Sequence, residues 1–460
     1  VTVLNPVEGR RVLVLGVGIA GTSAAEVTRE LGGIAVTVDA NGAADHRDVS
    51  EVDLSTFDVV MASPGFAPHS DAVRACEAAG LEIWSEMEFA WRVRRPGIPW
   101  VMVTGTNGKT TTTQMVGAIA RAGGLDVRVC GNMGIPVIHA AREESDLVAV
   151  EIASLQLHFA HTISPHAAVC LNADDDHTDW HGSLEAYRAD KAKVYQHVQV
   201  ACVYPAADAL VESMVAEAEV VEGARAVGIT LGSPAPSQLG LVEGLLVDRA
   251  FHPDRHRQAA ELGEVDDLAH LVAGDVPPYL VTNALAAAAL CRAVGVAPEA
   301  VRDGLRSFRL DHHRTAWVRD LDGVAYVDDS KATNAHAVQA AFGGRADRSV
   351  VWIAGGLAKG QEFSALVEDV AGRVRAAVLI GVDQEPLATA LATHASDIPV
   401  VSVPPGEDVM QRAVAAARGL AEPGDTVLLS PACASMDQFR SYADRGEAFT
   451  RAVEAMDREE

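Results

Sequence analysis

Paired cysteines, an excess of base and long apolar runs are all missing from this 460-residue chain. The six cysteines, Cys76, Cys130, Cys170, Cys202, Cys291 and Cys433, show no CxxC spacing, which argues against a structural zinc site or a disulfide framework and for a reducing compartment. Lys and Arg number 37 against 63 Asp and Glu, a formal net charge of -26. Such a chain repels nucleic-acid phosphates and anionic membranes, so any anionic substrate needs local cations to hold it. No segment approaches the ~20 continuous apolar residues of a membrane span. The opening VTVLNPVEGRR runs into a strand pattern rather than a signal-peptide core. The expectation is an unprocessed, soluble, cytoplasmic protein with no nucleic-acid or membrane partner. Internal repeats and low-complexity tracts are absent too.

What is present is core-forming material, 49% hydrophobic residues, and a length that suits about three domains. Short β-branched runs at Arg11–Leu15, Val36–Asp39 and Val59–Ala62 alternate with helical patterns at Ser23–Leu31 and Asp71–Ala79, the signature of a parallel sheet. After the connector RRPGIP a fresh series follows at Val127–Cys130, Val148–Glu151, Ala168–Leu171 and Cys202–Tyr204. Residues 232–275 read as a small antiparallel excursion, followed by helices at Asn283–Val294 and Pro298–Leu305. A third series has strands at Val324–Val327, Val350–Ala354, Ala377–Ile380 and Val427–Leu429. The expected fold is α/β in three domains: Rossmann-like over 1–97, a P-loop-type parallel sheet with a small antiparallel addition over 98–310, and Rossmann-like over 311–460.

The stretch VMVTGTNGKTTT joins an apolar strand to a helix through a glycine-rich loop. Gly105, Thr106, Asn107 and Gly108 bring backbone N–H groups close to phosphate, Lys109 adds a cation, Thr110 offers a hydroxyl for Mg2+, and Thr111 belongs to the same nucleotide-binding run. The loop is tighter than G-x-x-x-x-G-K-[ST]. In the first domain GVGIAG, with Gly16, Gly18, Ile19, Ala20 and Gly21, also follows a strand and opens a helix, and Asp39 ends the next strand. That pattern fits a dinucleotide, another diphosphate ligand or a purely structural turn. Ser63, Pro64 and Gly65 form a loop on the same sheet edge, either a ligand contact or an ordinary Pro-Gly turn.

Glu151 ends a strand beside the phosphate loop, where a carboxylate can hold Mg2+. Asn132 is an Asn at a left-handed turn or a substrate contact. In NADDDHTD an acidic surface loop accounts for Asp174 and Asp175, while His177 is a candidate metal or carboxylate contact. Lys191, with Lys193 on the following helix, reads by itself as a solvated charge. In the third domain Asp329-Ser330-Lys331-Ala332-Thr333-Asn334 lies at a strand's carboxyl end, where so many polar groups suit a ligand better than a helix cap. His313-Arg314 upstream supplies a fork for phosphate or ribose. SPACAS offers small residues for close backbone approach, with Cys433 read as packing.

The order GVGIAG, ASPG, TGTNGKTTT, GNMG, EIASLQL, DDDHTDWH, YRADK, TNALAAAAL, DHHR, DSKATN, GGLAKG and SPACASMDQF resembles the Mur ligases over nearly the whole chain. The phosphate loop alone would also suit folylpolyglutamate synthases; DSKATN and SPACASMDQF are more specific. The resemblance implies a cytoplasmic, monomeric, ATP-dependent amide-bond-forming ligase that uses Mg2+, with UDP-N-acetylmuramoyl-L-alanine and D-glutamate as partners and an acyl phosphate between them. GVGIAG and the loop Ser63–Gly65 would then serve the UDP precursor rather than NAD, with Asn132 also on the substrate. Lys109 and Thr110 would meet the ATP phosphates and Mg2+, Glu151 the first metal and His177 the second. Lys191 matches a lysine that is carbamylated, becoming a carboxylate-like metal ligand. Asn283, Arg314 and Asp329 would hold adenine and ribose or phosphate. Lys331, Thr333, Lys359, Ser435, Met436 and Tyr442 would surround D-glutamate and the reacting phosphate, and domain closure would bring the substrates together. Two departures stand out: PPYLVTN replaces a Gly-x-His-Asn run before Asn283, and Ala153 stands where a second serine is common.

Overall fold

The computed structural model describes residues 5–40, 43–132, 135–272, 275–309, 313, 315–343, 345–358 and 360–456. They form two compact units, Val1–Asp267 with Leu280–Phe308, and Leu268–Tyr279 with Arg309–Glu460. The first unit holds two sheets and the second holds one.

The first sheet comprises β1 (Arg11–Leu15), β2 (Ile34–Val38), β3 (Val59–Ala62) and β4 (Ile83–Trp84) in the order β2-β1-β3-β4, all parallel. β1 and β3 are almost wholly buried because helices cover both faces, as an all-parallel sheet requires. The second sheet has nine strands: β5 (Trp100–Thr104), β6 (Val127–Gly131), β7 (Leu147–Glu151), β8 (Ala167–Cys170), β9 (Ala201–Pro205), β10 (Arg225–Ile229), β11 (Gln238–Val242), β12 (Leu245–Asp248) and β13 (Ala260–Glu264). Their order is β13-β12-β11-β10-β9-β8-β5-β7-β6, with only the β11-β12 and β12-β13 pairs antiparallel. The antiparallel excursion is therefore no separate lobe. Its first strand pairs with β10 and extends the same sheet.

In the second unit β14 (Ala316–Leu321), β15 (Val324–Asp328), β16 (Val350–Gly355), β17 (Val374–Ile380), β18 (Val400–Ser402) and β19 (Thr426–Leu429) run in the order β14-β15-β19-β16-β17-β18. Only β14 is antiparallel, to β15. Sequence reading missed β14 because AWVRDL carries charge and lies at the half-exposed edge. The helix expected from Asn283 starts on Pro278 instead, where a missing N–H is tolerated in the first turn. Among the described residues no helix is long and apolar enough to cross a membrane.

The glycines after β1 differ in what they are for. A Cβ on Gly21 would lie 1.9 Å from the Gly16 carbonyl oxygen, whereas one on Gly18 would meet nothing within 4 Å. Gly21 lets the helix Ile19–Glu30 pack onto the loop, and Gly18 leaves the approach to its N-terminus open. Gly21→Ala should destabilise the protein by roughly 3 kcal/mol or more through overpacking. Gly18→Ala should stay within about 0.5 kcal/mol. Urea unfolding of the two variants checks this, and equal effects would refute the distinction.

Candidate active site

Parallel pairing puts β5 between β7 and β8, so three loops leave the sheet side by side. The loop after β5 reaches the helix Lys109–Ala122 in four residues, with Gly105 at φ +154° and Gly108 at φ +85°. A Cβ on Gly108 would lie 2.7 Å from Asn283 Oδ1 and 2.9 Å from Leu171 Cδ1. The absent side chain lets Asn283 close against the loop. Lys109 Nζ folds back onto the carbonyls of Gly105 (2.8 Å) and Thr106 (2.9 Å), which holds the ammonium across the loop. Thr110 and Thr111 are buried in the first turn. Asn172, after β8, braces the loop by accepting the Asn107 N–H (2.8 Å) and donating to the Asn107 carbonyl (3.2 Å). Thr106 Oγ1 lies 2.8 Å from the Tyr187 hydroxyl.

Register sets Glu151 level with Val103, one residue before the loop-bearing end of β5. Its side chain is buried; Oε1 accepts from Asn132 Nδ2 (3.1 Å), while Oε2 has no hydrogen-bond partner among the described residues. An enclosed carboxylate oxygen without a donor fits a cation, since burying such a group unpaired is unfavourable. The left-handed turn next to Asn132 belongs to Gly131, at φ +116°, where a Cβ would lie 2.0 Å from the Glu151 carbonyl oxygen. Asn132 itself is a carboxylate-orienting residue. Oγ1 of Thr104 and Oγ1 of Thr112, beneath the loop, are likewise buried without partners among the described residues.

His177 is half-exposed at φ +51°, starting the short helix Thr178–His181, with Nε2 3.6 Å from Asp176 Oδ2. Lys191 is no solvated helix charge. It is 2% exposed, with Nζ 4.5 Å from the centroid of the Tyr187 ring. Burial pushes its ammonium down to about 7; Cys170 opposes the shift and the nearby charge of Lys109 adds to it. A lysine in that state is half neutral near pH 7 and nucleophilic.

Sequence reasoning missed the group next to it. Asp190 Oδ2 accepts from His158 Nδ1 (2.6 Å) and His181 Nδ1 (2.9 Å), and Asp190 Oδ1 pairs with Lys193 Nζ at 2.8 Å. Burial raises the Asp190 carboxyl, but the hydrogen bonds from His158, His181 and Lys193 together hold it well below the usual carboxylate range. His181 Nε2 also lies 3.0 Å from Ser154 Oγ. Only the adjacency of Asp190 to Lys191 was readable; the two histidines share no spacing with it.

On the first sheet, Asp39 Oδ2 accepts the Val17 N–H (2.9 Å), so this carboxylate shapes the glycine loop. Ser63 Oγ is buried without a partner among the described residues and faces that loop, where a Cβ on Gly16 would come within 2.8 Å of it. Gly16, Gly18, Ala20, Gly21, Ser63, Pro64 and Gly65 thus share one edge, with Ile19 projecting into solvent. Pro64 contributes its carbonyl, which accepts from Trp180 Nε1 at 2.8 Å.

In the second unit Asp329 is buried; Oδ1 accepts from the Thr315 N–H (3.0 Å) and Oδ2 from Ser430 Oγ (2.7 Å). Lys331 Nζ lies 5.4 Å from the centroid of the Tyr442 ring, and the Thr333 carbonyl accepts from Gln361 Nε2 (3.4 Å). Ser435 is buried and Met436 exposed. Cys433 packs as expected, its thiol pushed up to about 12 by burial. His313 Nδ1 is 2.5 Å from Asp328 Oδ2. Arg314 and Lys359 lie outside the described residues. Sequence reasoning also missed Arg445, fully buried, which donates to Ser330 Oγ and to the carbonyls of Ser330 and Cys433. It fastens the loops after β15 and β19 together.

Two family models match this chain: the Mur ligase middle domain over residues 103–291, and the Mur ligase glutamate ligase domain over residues 313–433. It is 48% identical to the UDP-N-acetylmuramoylalanine–D-glutamate ligase of Streptomyces avermitilis, covering 98% of this chain and 99% of that protein. It is 42% identical to the Mycolicibacterium smegmatis protein of the same name, covering 97% of each. Among solved structures it resembles the UDP-N-acetylmuramate-alanine ligase of Thermotoga maritima, with TM-score 0.58 at 15% identity over 97% of this chain and 99% of that one. A MurF ligase of the same organism, solved in complex with ADP, gives TM-score 0.56 at 16% identity over 98% and 97%. At that identity the structural likeness speaks for the fold.

Asn172→Ala removes both hydrogen bonds that brace Asn107. The expected outcome is a loss of about 1–3 kcal/mol in urea unfolding, with unchanged far-ultraviolet circular dichroism. A variant as stable as the parent would show that the loop holds itself.

Proposed function

The chain belongs to the Mur ligase family, and from that premise we propose that it joins D-glutamate to UDP-N-acetylmuramoyl-L-alanine with consumption of ATP, in peptidoglycan precursor synthesis. Relatives of nearly full length that bear this name support the choice of substrates. The observation that carries the chemistry is the meeting, at adjacent strand ends, of an open glycine loop and a buried Glu151 oxygen without a partner among the described residues, with the buried Lys191 of the helix Leu184–Ala192 joined to that loop through Tyr187.

In this reading the precursor carboxylate attacks the γ-phosphate of ATP, and the D-glutamate amine then displaces phosphate from the acyl phosphate. Backbone N–H groups at the start of the helix Lys109–Ala122 face the phosphates, and Lys109 exchanges its two carbonyl partners for them. Thr110, Glu151, His177 and Lys191 would hold Mg2+, which offsets charge developing on the transferring phosphoryl group. An ammonium at Lys191 would repel that ion. The neutral amine instead attacks CO2: an N–C bond forms, one C=O pair moves to oxygen, and a proton leaves to solvent. The resulting carbamate is anionic and oxygen-bearing, the donor type Mg2+ prefers. Asn283 lies against the phosphate loop, where it suits adenine, and Asp329 and Arg314 suit ribose or phosphate. For the amine donor the proposal keeps Lys331, Thr333, Lys359, Ser435, Met436 and Tyr442, and for the UDP precursor the glycine loop with Asp39, Ser63 to Gly65 and Asn132.

Three outcomes check this reading. ADP release should need precursor and D-glutamate together, with L-glutamate and meso-diaminopimelate inactive; equal use of either would overturn the substrate assignment. Lys109→Ala should fold and lose ~10^2 to 10^3 in rate, as expected for removal of an electrostatic contact to the transferring group. For Lys191 the sign follows from its depressed value: the amine is mostly protonated below about 7 and mostly neutral above it. At fixed dissolved 13C-labelled CO2, the carbamate 13C resonance should therefore rise from pH 6 to pH 8 and vanish in Lys191→Arg. A signal that persists in Lys191→Arg would refute the assignment.

A further inference from the structure

We propose that Trp180 is a positioning residue that ties the loop Ser63–Gly65 of the first sheet to the His177 and Lys191 segments of the second, keeping the nucleotide-sugar loop and the metal-binding groups in register. The inference rests on the reading above for what the two ends bind, but not for the tie itself. Indole N–H is a donor only, and burying it unpaired is unfavourable. Trp180 is 9% exposed and places that donor 2.8 Å from the Pro64 carbonyl oxygen, across the boundary between the two sheets. The acceptor is well fixed, because Pro64 lies in a turn closed by the Phe66 N–H to the Ser63 carbonyl (3.0 Å).

The other side of the indole meets the Asp190 group. The Trp180 ring contacts His181 edge-on at 4.6 Å and His158 at 5.4 Å between centroids, and both imidazoles share Asp190 Oδ2. Lys193 Nζ links Asp190 Oδ1 back to the His158 carbonyl (2.7 Å), and His181 Nε2 reaches Ser154 Oγ. Trp180, on the helix Thr178–His181 that follows His177, thus touches the Pro64 turn and the helix Ser154–His158 that follows Glu151, and the two imidazoles connect it through Asp190 to the end of helix Leu184–Ala192 that carries Lys191. The trio His158, His181 and Asp190 has the composition of a metal site. Its carboxylate already accepts from two imidazoles and the Lys193 ammonium, so it is complete as a hydrogen-bonded group without a metal ion. Phe keeps an aromatic ring against the two imidazoles, though a smaller one than the buried indole, and lacks the N–H that reaches Pro64.

The test is Trp180→Phe in the full chain, which keeps an aromatic ring and removes the donor. In amide hydrogen exchange of the ligand-free protein, residues 63–66 and 178–182 should both exchange about fivefold faster, the loss expected for one neutral hydrogen bond, with helix Lys109–Ala122 unchanged. Acceleration confined to 178–182 overturns the tie. In kinetics the KM for UDP-N-acetylmuramoyl-L-alanine should rise about fivefold while that for ATP stays within twofold; equal rises, or none, overturn the positioning role. Should Trp180→Phe fail to fold, the wild-type protein decides: adding the precursor should slow exchange at both 63–66 and 178–182, and protection of 63–66 alone overturns the proposal. A wild-type protein with no turnover on that precursor sinks the functional reading, and the ligand-free exchange comparison still decides the tie.

Discussion

The parallel pairing of β7, β5 and β8 is the constraint from which the central site follows. Parallel strands in register end at one level, so the loops that leave them emerge together whatever their sequence. Val103 opposite Glu151 and Thr104 opposite Cys170 bring a carboxylate, a glycine loop and Asn172 to one sheet edge. A slip of one residue would turn Glu151 to the other face of the sheet and part it from the loop. The small residues there serve the same closeness: Gly131 lets the Glu151 backbone approach, and Gly108 does so for Asn283.

Charge placement is the second constraint. A chain with net charge -26 handles anions by concentrating a few cations where water is excluded. Lys109 is spread over two backbone carbonyls, Lys191 is buried against a tyrosine ring, and Arg445 is enclosed between loops of the third sheet. Their surroundings differ, and so do their states. Arg445, pulled down only to about 10 by burial, stays charged and acts as a fastener, while Lys191 loses its charge near neutrality.

Buried polar groups divide in the same way between closed and open. Around Asp190 every oxygen has a donor, which makes a rigid scaffold. Glu151 Oε2, Ser63 Oγ and Thr104 Oγ1 have none among the described residues, and all three lie at the carboxyl ends of parallel strands. The contrast separates groups that hold the protein from groups suited to hold something else.

Much of the fold and of the phosphate site is legible in the amino-acid sequence itself. Alternating apolar runs and helical patterns determine a parallel α/β fold, because only such strands need burial on both faces, and GTNGKTT between a strand and a helix marks a phosphate loop by local chemistry alone. The order of motifs also determined the family, since they are contiguous and short. What stayed open depended on contacts distant along the chain. That Lys191 is buried rather than solvated, that Asn132 turns to Glu151 while Gly131 takes the left-handed backbone, and that β11 to β13 extend the central sheet could be decided only by packing. His158, His181 and Asp190 were unreadable for the same reason. They lie up to 32 residues apart, and only the folding of three short helices onto one another brings their side chains to a shared oxygen.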